Sequence, residues 1–196
     1  MSLAVQRGSF TAITGPSGGG KSTLLALLGA LDRPTEGIIR FDGADLAGAS
    51  AAALARVRRR IGFVFQHSPM LRRLPAWLNV AYPLLPRGVR APERERRALD
   101  LLARVGLADR AQSLPEHLSA GERQRVGVAR ALVAEPDLVL ADEPTSNLDP
   151  ASAAVVLDLL VAAHAAGCTV LVATHDPAVL ARATVRHELA AGRLVT

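Results

Sequence analysis

Of the 23 basic side chains in this chain, 22 are arginine and one is lysine. The lysine is Lys21, and it lies in Gly15-Pro16-Ser17-Gly18-Gly19-Gly20-Lys21-Ser22-Thr23. The spacing G-x-x-x-x-G-K-[S/T] suits one kind of chemistry. Glycines let a backbone curl closely round an anion, and successive N–H groups and the positive end of a following helix then point at it. A compact ammonium fits among phosphate oxygens where a planar guanidinium does not. Lys21 is thus placed for the β- and γ-phosphates of a nucleotide, and the Ser22 hydroxyl for a Mg²⁺ ion. A turn that merely capped a helix would not need four glycines, a Lys-Ser pair and a β-branched apolar run at 9–14 all together.

Further candidates stand at the ends of other apolar runs. Asp142 and Glu143 follow the run 137–141. Asp142 is placed to hold the metal of a bound nucleotide, and Glu143, one residue on and pointing differently, to polarise an attacking water. His175 follows the run 169–174 in the same way, so it reaches the γ-phosphate or that water if the two runs are neighbours. Gln66 closes the run 61–65, from where it can reach a metal ion or a water. The stretch 118–122 opens a helix with a small, serine-capped N-terminus, a second anion-binding element built on Ser119 and Gly121. One nucleotide does not need two such helix ends in one subunit. The second is therefore expected to serve a partner's nucleotide. The remaining histidines show no metal-ligand spacing.

The elements that must position these residues follow from the hydrophobic pattern. Strands are expected at 9–14, 36–43, 61–65, 137–141 and 169–174, with two short ones at 185–189 and 193–196. Helices are expected at 21–31, 49–60, 121–134 and 150–166. Alternating strands and helices predict an α/β fold with a mostly parallel sheet and its ligand at the C-terminal strand ends. Between His67 and Leu118 the texture changes. Prolines 69, 75, 83, 86 and 92 break a series of amphipathic helices, the clearest at 93–105, and no strand-like run occurs. This reads as a helical lobe, 67–118, inserted within a single domain, 1–196.

Bulk composition narrows the function classes. Hydrophobic residues are 49% and charged residues 21%, which describes a globular chain. The net charge is +5, but the arginines are scattered and aromatics are only 3%, which argues against a base-stacking nucleic-acid groove. The single cysteine, Cys168, excludes an internal disulfide and a cysteine-built metal site and reads as a core residue. The most membrane-like window, 155–174, is interrupted by Asp158 and His164 and reads as helix, turn and strand. With no basic-then-apolar leader, a cytoplasmic location is expected.

Taken in order, these motifs resemble those of ABC-type ATPases along essentially the whole chain. Gly15–Thr23 is similar to a Walker A loop of a P-loop NTPase, and Gln66 to a Q-loop glutamine. Leu118-Ser119-Ala120-Gly121-Glu122 is similar to the signature, and 138–142 with Glu143 to Walker B. Ser146-Asn147-Leu148-Asp149 resembles a D-loop, and His175 a switch histidine. Phe65-Gln66, 118–126 and 141–149 resemble the lipoprotein-releasing, macrolide-exporter and FtsE-like branch most. The resemblance implies an ATP- and Mg²⁺-dependent ATPase whose two copies close head to tail over two ATP molecules. Each ATP would be held by Lys21 and Ser22 of one copy and by Ser119 and Gly121 of the other. Glu143 would act as general base, His175 would position the γ-phosphate, and Asp149 would lie at the seam. Gln66 and the lobe would transmit closure to a separate integral-membrane permease, which would hold the chain at the inner face of the membrane. A soluble ABC-type ATPase acting on nucleic acid is a different class, but its members carry long coiled-coil or zinc insertions that 66–118 lacks. A catalytically weak remnant is a third reading, and two departures motivate it. Alanine stands at 120 where glycine is usual. In addition, only 14 residues precede Gly15, and their sole aromatic, Phe10, lies in the strand that feeds the loop. The family's small N-terminal antiparallel β part, with its adenine-stacking aromatic, is therefore expected to be incomplete, at a cost of roughly 1–3 kcal/mol in nucleotide affinity.

Overall fold

A strand with apolar residues on both faces needs cover on both sides, and this requirement organises the fold. The computed structural model describes residues 1–195. β1 (Phe10–Thr14) leads through the glycine loop into α1 (Lys21–Leu28). A two-stranded antiparallel hairpin, β2 (Arg40–Phe41) with β3 (Ala44–Asp45), comes next, followed by α2 (Ala51–Arg59) and β4 (Ile61–Val64). The segment 67–118 then supplies α3 (Ala76–Ala81), a 3-10 turn over Tyr82–Arg87, α4 (Ala91–Arg104) and two further short 3-10 turns. The chain returns through α5 (Ala120–Leu132), β5 (Leu138–Asp142), α6 (Pro150–Ala165) and β6 (Thr169–Ala173). It continues with α7 (Pro177–Arg182), β7 (Val185–Ala190) and β8 (Arg193–Val195).

The main sheet has the order β4-β5-β6-β1-β7-β8. All neighbours in it are parallel except β7 and β8, which form an antiparallel pair. Alternation along the inner strands divides the core. Val139, Ala141, Val170 and Val172 face one way, into a cluster with Val126, Ala129, Val156 and Leu160 of α5 and α6. Leu140, Leu171 and Ala173 face the other way, with Ile13, against Leu24 and Leu25 of α1. Ala98, Leu101, Leu102 and Val105 of the α4 region join the first cluster, so the helices of 67–118 share apolar contacts with α5 and α6.

Most expected elements form, with informative exceptions. The strand expected over 36–43 shrinks to Arg40–Phe41, because Gly37, at φ 93°, breaks the extended run. Asp42 and Gly43 then turn the hairpin with φ of 50° and 80°. Asp142 is the last residue of β5, in register with Ala173, and not the first residue after it. α7 was not anticipated, although Asp176-Pro177 is a cap-then-proline start: the Asp176 carboxylate accepts from Ala178 N at 2.8 Å. Residues 1–6 have no regular structure, but Leu3 and Val5 rest against the Ile13–Leu140 cluster. Of the strand expected at 193–196, Thr196 lies outside the described residues. Among those residues no helix is long and apolar enough to cross a membrane.

Candidate active site

The glycine loop is shaped by what lies beneath it. A Cβ on Gly15 would sit 1.9 Å from the Leu189 carbonyl oxygen of β7, and Gly15 has φ 135°. A Cβ on Gly19 would also be crowded, 3.0 Å from that oxygen, and the Gly19 carbonyl accepts from Gly192 N at 3.1 Å. The loop therefore rests on the β7–β8 turn. Its tip, Pro16, Ser17 and Gly18, is exposed, and Gly20 is the N-cap of α1. Ser22 and Thr23 are exposed in the first turn of α1, where unpaired N–H groups gather. The Lys21 ammonium donates to the Gly15 and Pro16 carbonyls at 2.7 and 3.0 Å. Two of its three N–H donors thus hold the loop's own curl, and the third is left for an anion.

The neighbouring strands bring the other candidates to the same edge. β4, β5, β6 and β1 are consecutive and parallel, so Gln66, Asp142, Glu143, His175 and the loop all lie at or just past their C-terminal ends. Asp142 is buried. Glu143 has φ 45°, an unusual conformation for a non-glycine residue, held by Glu143 N donating to Ala173 O at 2.9 Å. His175 Nδ1 lies 3.0 Å from Glu143 Oε1. Because an ionised carboxylate only accepts, Nδ1 is the donor and the second carboxylate oxygen remains open to a water. The His175 side chain is 79% exposed against 13% for Glu143, so the histidine is the member of the pair free to swing. Next to them, Thr145 donates to Asp176 at 2.7 Å and ties the turn after β5 to the start of α7.

Ser119 is the N-cap of α5 in a complete capping box. Glu122 N donates to Ser119 Oγ at 3.2 Å, and Ser119 N donates to Glu122 Oε2 at 2.7 Å. The backbone hydrogen bond from Ser119 holds the Glu122 carboxyl below its usual range. Ala120 is exposed, and a Cβ on Gly121 would meet Leu148 Cδ2 at 3.3 Å. This helix end therefore sits beside the 146–149 turn. Among the described residues Ser119 and Gly121 share no hydrogen bond with the glycine loop of their own chain. Asp149 caps α6, accepting from Ser152 N at 3.0 Å and Ser152 Oγ at 2.6 Å, and these bonds lower its pKa. Arg125 of α5 donates to the same Ser152 hydroxyl. Cys168 is half-buried, and burial pushes its thiol up to about 11, in keeping with an inert core position. Phe10 is fully buried in the core, so it presents no face to a base.

Sequence reasoning passed over Gln124 and Ser68, both buried between α5 and the Gln66 loop. It also missed the Leu189 carbonyl, since a backbone contact between strands far apart in the chain leaves no pattern. The proximity of Gln124 to the motif at 118–122 was the one available signal. The oxygen donors at this edge include the Ser22 hydroxyl, the Gln66 amide oxygen and the Asp142 carboxylate, any of which suits a divalent cation. No cluster of three His, Cys, Asp or Glu side chains occurs among the described residues. A few hard oxygen donors without a protein cage fit Mg²⁺, which keeps waters and takes phosphate oxygens.

A family model described as ABC transporter matches residues 1–146. An uncharacterized ABC transporter ATP-binding protein, YknY of Bacillus subtilis (strain 168), is 46% identical over 178 residues, covering 90% of this chain and 77% of that protein. The lipoprotein-releasing system ATP-binding protein LolD of Chromohalobacter salexigens is 47% identical over 99% of this chain and 83% of its own length. A macrolide export ATP-binding/permease protein, MacB 1/2 of Paracoccus denitrificans, is 47% identical over 98% of this chain, which spans only 29% of that longer protein. A dimeric structure of a post-hydrolysis state of the ATP-binding cassette MJ0796, bound to ADP and Pi, superposes with a TM-score of 0.95 at 38% identity. That alignment covers 99% of this chain and 86% of the other.

Proposed function

The chain belongs to the ABC transporter family, and on that premise we propose that it is the ATP-hydrolysing subunit that powers a separate membrane permease. The observation that carries this reading is the single strand edge where Lys21, Asp142, Glu143 and His175 converge, with His175 and Glu143 3.0 Å apart. Residues 1–196 work as one ATPase domain with 67–118 as its lobe. The loop N–H groups and Lys21 grip the β- and γ-phosphates. Ser22, Gln66 and Asp142 would hold a Mg²⁺ ion, which supplies charge neutralisation on those phosphates. Glu143 takes a proton from a water that attacks the γ-phosphorus as the bond from phosphorus to the ADP oxygen breaks. His175, swinging from its exposed position, orients the γ-phosphate.

Among the described residues Ser119 and Gly121 make no hydrogen bond to their own loop, which supports head-to-tail pairing in which α5 of one copy closes on the nucleotide of the other. The purified chain is expected to release phosphate from Mg-ATP and to stop when EDTA exceeds the metal. Nucleotide binding with no phosphate release in Mg²⁺ would overturn the hydrolysis reading.

The lobe supports a membrane partner. Leu71, Tyr82 and Leu85 of the lobe are 36%, 48% and 47% exposed, and Arg72 and Arg73, which follow Leu71 in the chain, are exposed as well. Exposed apolar side chains mixed with arginines suit a permease segment reaching the inner face of the membrane, where the subunit is peripheral. Tyr82→Asp with Leu85→Asp is expected to cut co-purification with a multi-span protein encoded beside this chain by about tenfold. Turnover by the isolated chain should be unaltered. Undiminished capture would remove this face from the docking surface.

A further inference from the structure

We propose that Gln124 is a positioning residue for ATP hydrolysis, one amide that holds the Gln66 loop and the Glu143 turn in fixed relation to α5. Gln124 is 4% exposed. Its Nε2 donates to Phe65 O at 3.3 Å and to Pro144 O at 3.4 Å. Phe65 is the residue before Gln66, and Pro144 is the residue after Glu143. Its Oε1 accepts from Ser68 Oγ at 2.7 Å, and Ser68 Oγ also reaches Phe65 O at 3.3 Å. One buried side chain thus bonds three backbone or hydroxyl groups on the two loops that leave the paired strands β4 and β5.

The surroundings are built to keep that contact. Ser68 is 2% exposed and sits at φ 38°, a left-handed conformation that the local bonds must hold. It fits only because α5 has a glycine opposite: a Cβ on Gly127 would lie 2.2 Å from Ser68 Oγ. Arg130, one turn further along α5, donates to Pro69 O at 2.8 Å. α5 therefore grips the loop after Gln66 at three successive levels, and at the first of them it also grips the turn after Glu143. Since Ser119 caps α5, a shift of that N-terminus reaches both Gln66 and Glu143 through Gln124. Loss of the amide removes this bridge beyond the end of the β4–β5 ladder and leaves Lys21 and the phosphate loop untouched.

The proposal rests on the ATPase reading, and its test separates the two. In Gln124→Met, which keeps the length and apolar stem and removes the amide, kcat is expected to fall about tenfold, since small displacements of reacting groups are costly. KM for ATP is expected to stay within about twofold, because the binding loop is not involved. Ser68→Ala, which removes one bond of the network but leaves the bridge from Phe65 O to Pro144 O in place, should lower kcat by less than Gln124→Met does. Wild-type kcat in Gln124→Met, or a rise in KM at constant kcat, overturns the proposal. Absence of turnover in the wild-type chain would instead remove the ATPase reading. Should the methionine variant fail to fold, amide hydrogen exchange on Glu143→Gln with and without Mg-ATP carries the same test. Segments 65–69 and 143–147 should gain protection together. Protection of 143–147 with 65–69 unchanged overturns it.

Discussion

Glu143→Gln is expected to lower phosphate release by about 10²–10⁴-fold, the range for loss of a general base, while ATP binding persists. The geometry supports a selective effect. Glu143 lies beyond β5 and contacts His175, whereas Lys21 and the glycine loop rest on β7, so the substitution leaves the cradle unaltered. Glutamine can still accept from His175 but is a far weaker proton acceptor. ATP bound without turnover should then hold two copies together through Ser119 and Gly121, and the variant should elute at dimer volume in Mg-ATP and at monomer volume without it. A monomer in both conditions would mean that the α5 N-terminus does not complete a partner's site. Retained turnover would remove Glu143 as the base.

Gly15→Ala is expected to weaken ATP binding by over about 100-fold and to lower stability by about 3 kcal/mol or more, as strain and overpacking combine. The new methyl would overlap the Leu189 carbonyl at 1.9 Å. That carbonyl cannot retreat easily, because β7 is paired with β1 up to Thr14 and Glu188, directly beside it. Gly18→Ala separates strain from collision. Gly18 also has a positive φ, 75°, but a Cβ there meets nothing within 4 Å. Its cost is expected to be only about 1 kcal/mol. Thermal melts and ATP titrations of the two variants read both effects. Wild-type affinity in Gly15→Ala would show that the loop does not need its seat on β7.

The residues at the strand ends were legible because each follows an apolar run, and parallel β topology sends such ends to one edge. Gly15 through Thr23, Gln66, Glu143 and His175 could be placed that way without coordinates. The exact end of β5 could not: Asp142 belongs to the ladder through Ala173, and pairing with a distant strand leaves no mark on its own sequence. For the same reason 36–43 looked like one strand, although Gly37 and the Asp42-Gly43 turn leave two residues of it. Gln124 was hidden more deeply. A glutamine in a polar, arginine-rich helix reads as a solvent-facing residue, and only the position of Ser68 and Pro144 shows that it is buried and bonded.

Among the described residues β1 is the earliest strand of the main sheet, and it sits between two that come far later in the chain. Its partners lie 160 residues ahead in β6 and 174 residues ahead in β7. At roughly 5–20 residues per second of synthesis, Lys21 would leave the ribosome about 8 to 34 s before the Leu189 that supports its loop. During that interval the apolar run of β1 has no native neighbour on either edge, and such unpaired edges are open to mispairing. The capacity to bind ATP would accordingly arise late and all at once, when β7 slots in beside β1, and a nascent chain still lacking β6 and β7 would not compete for nucleotide or for a permease.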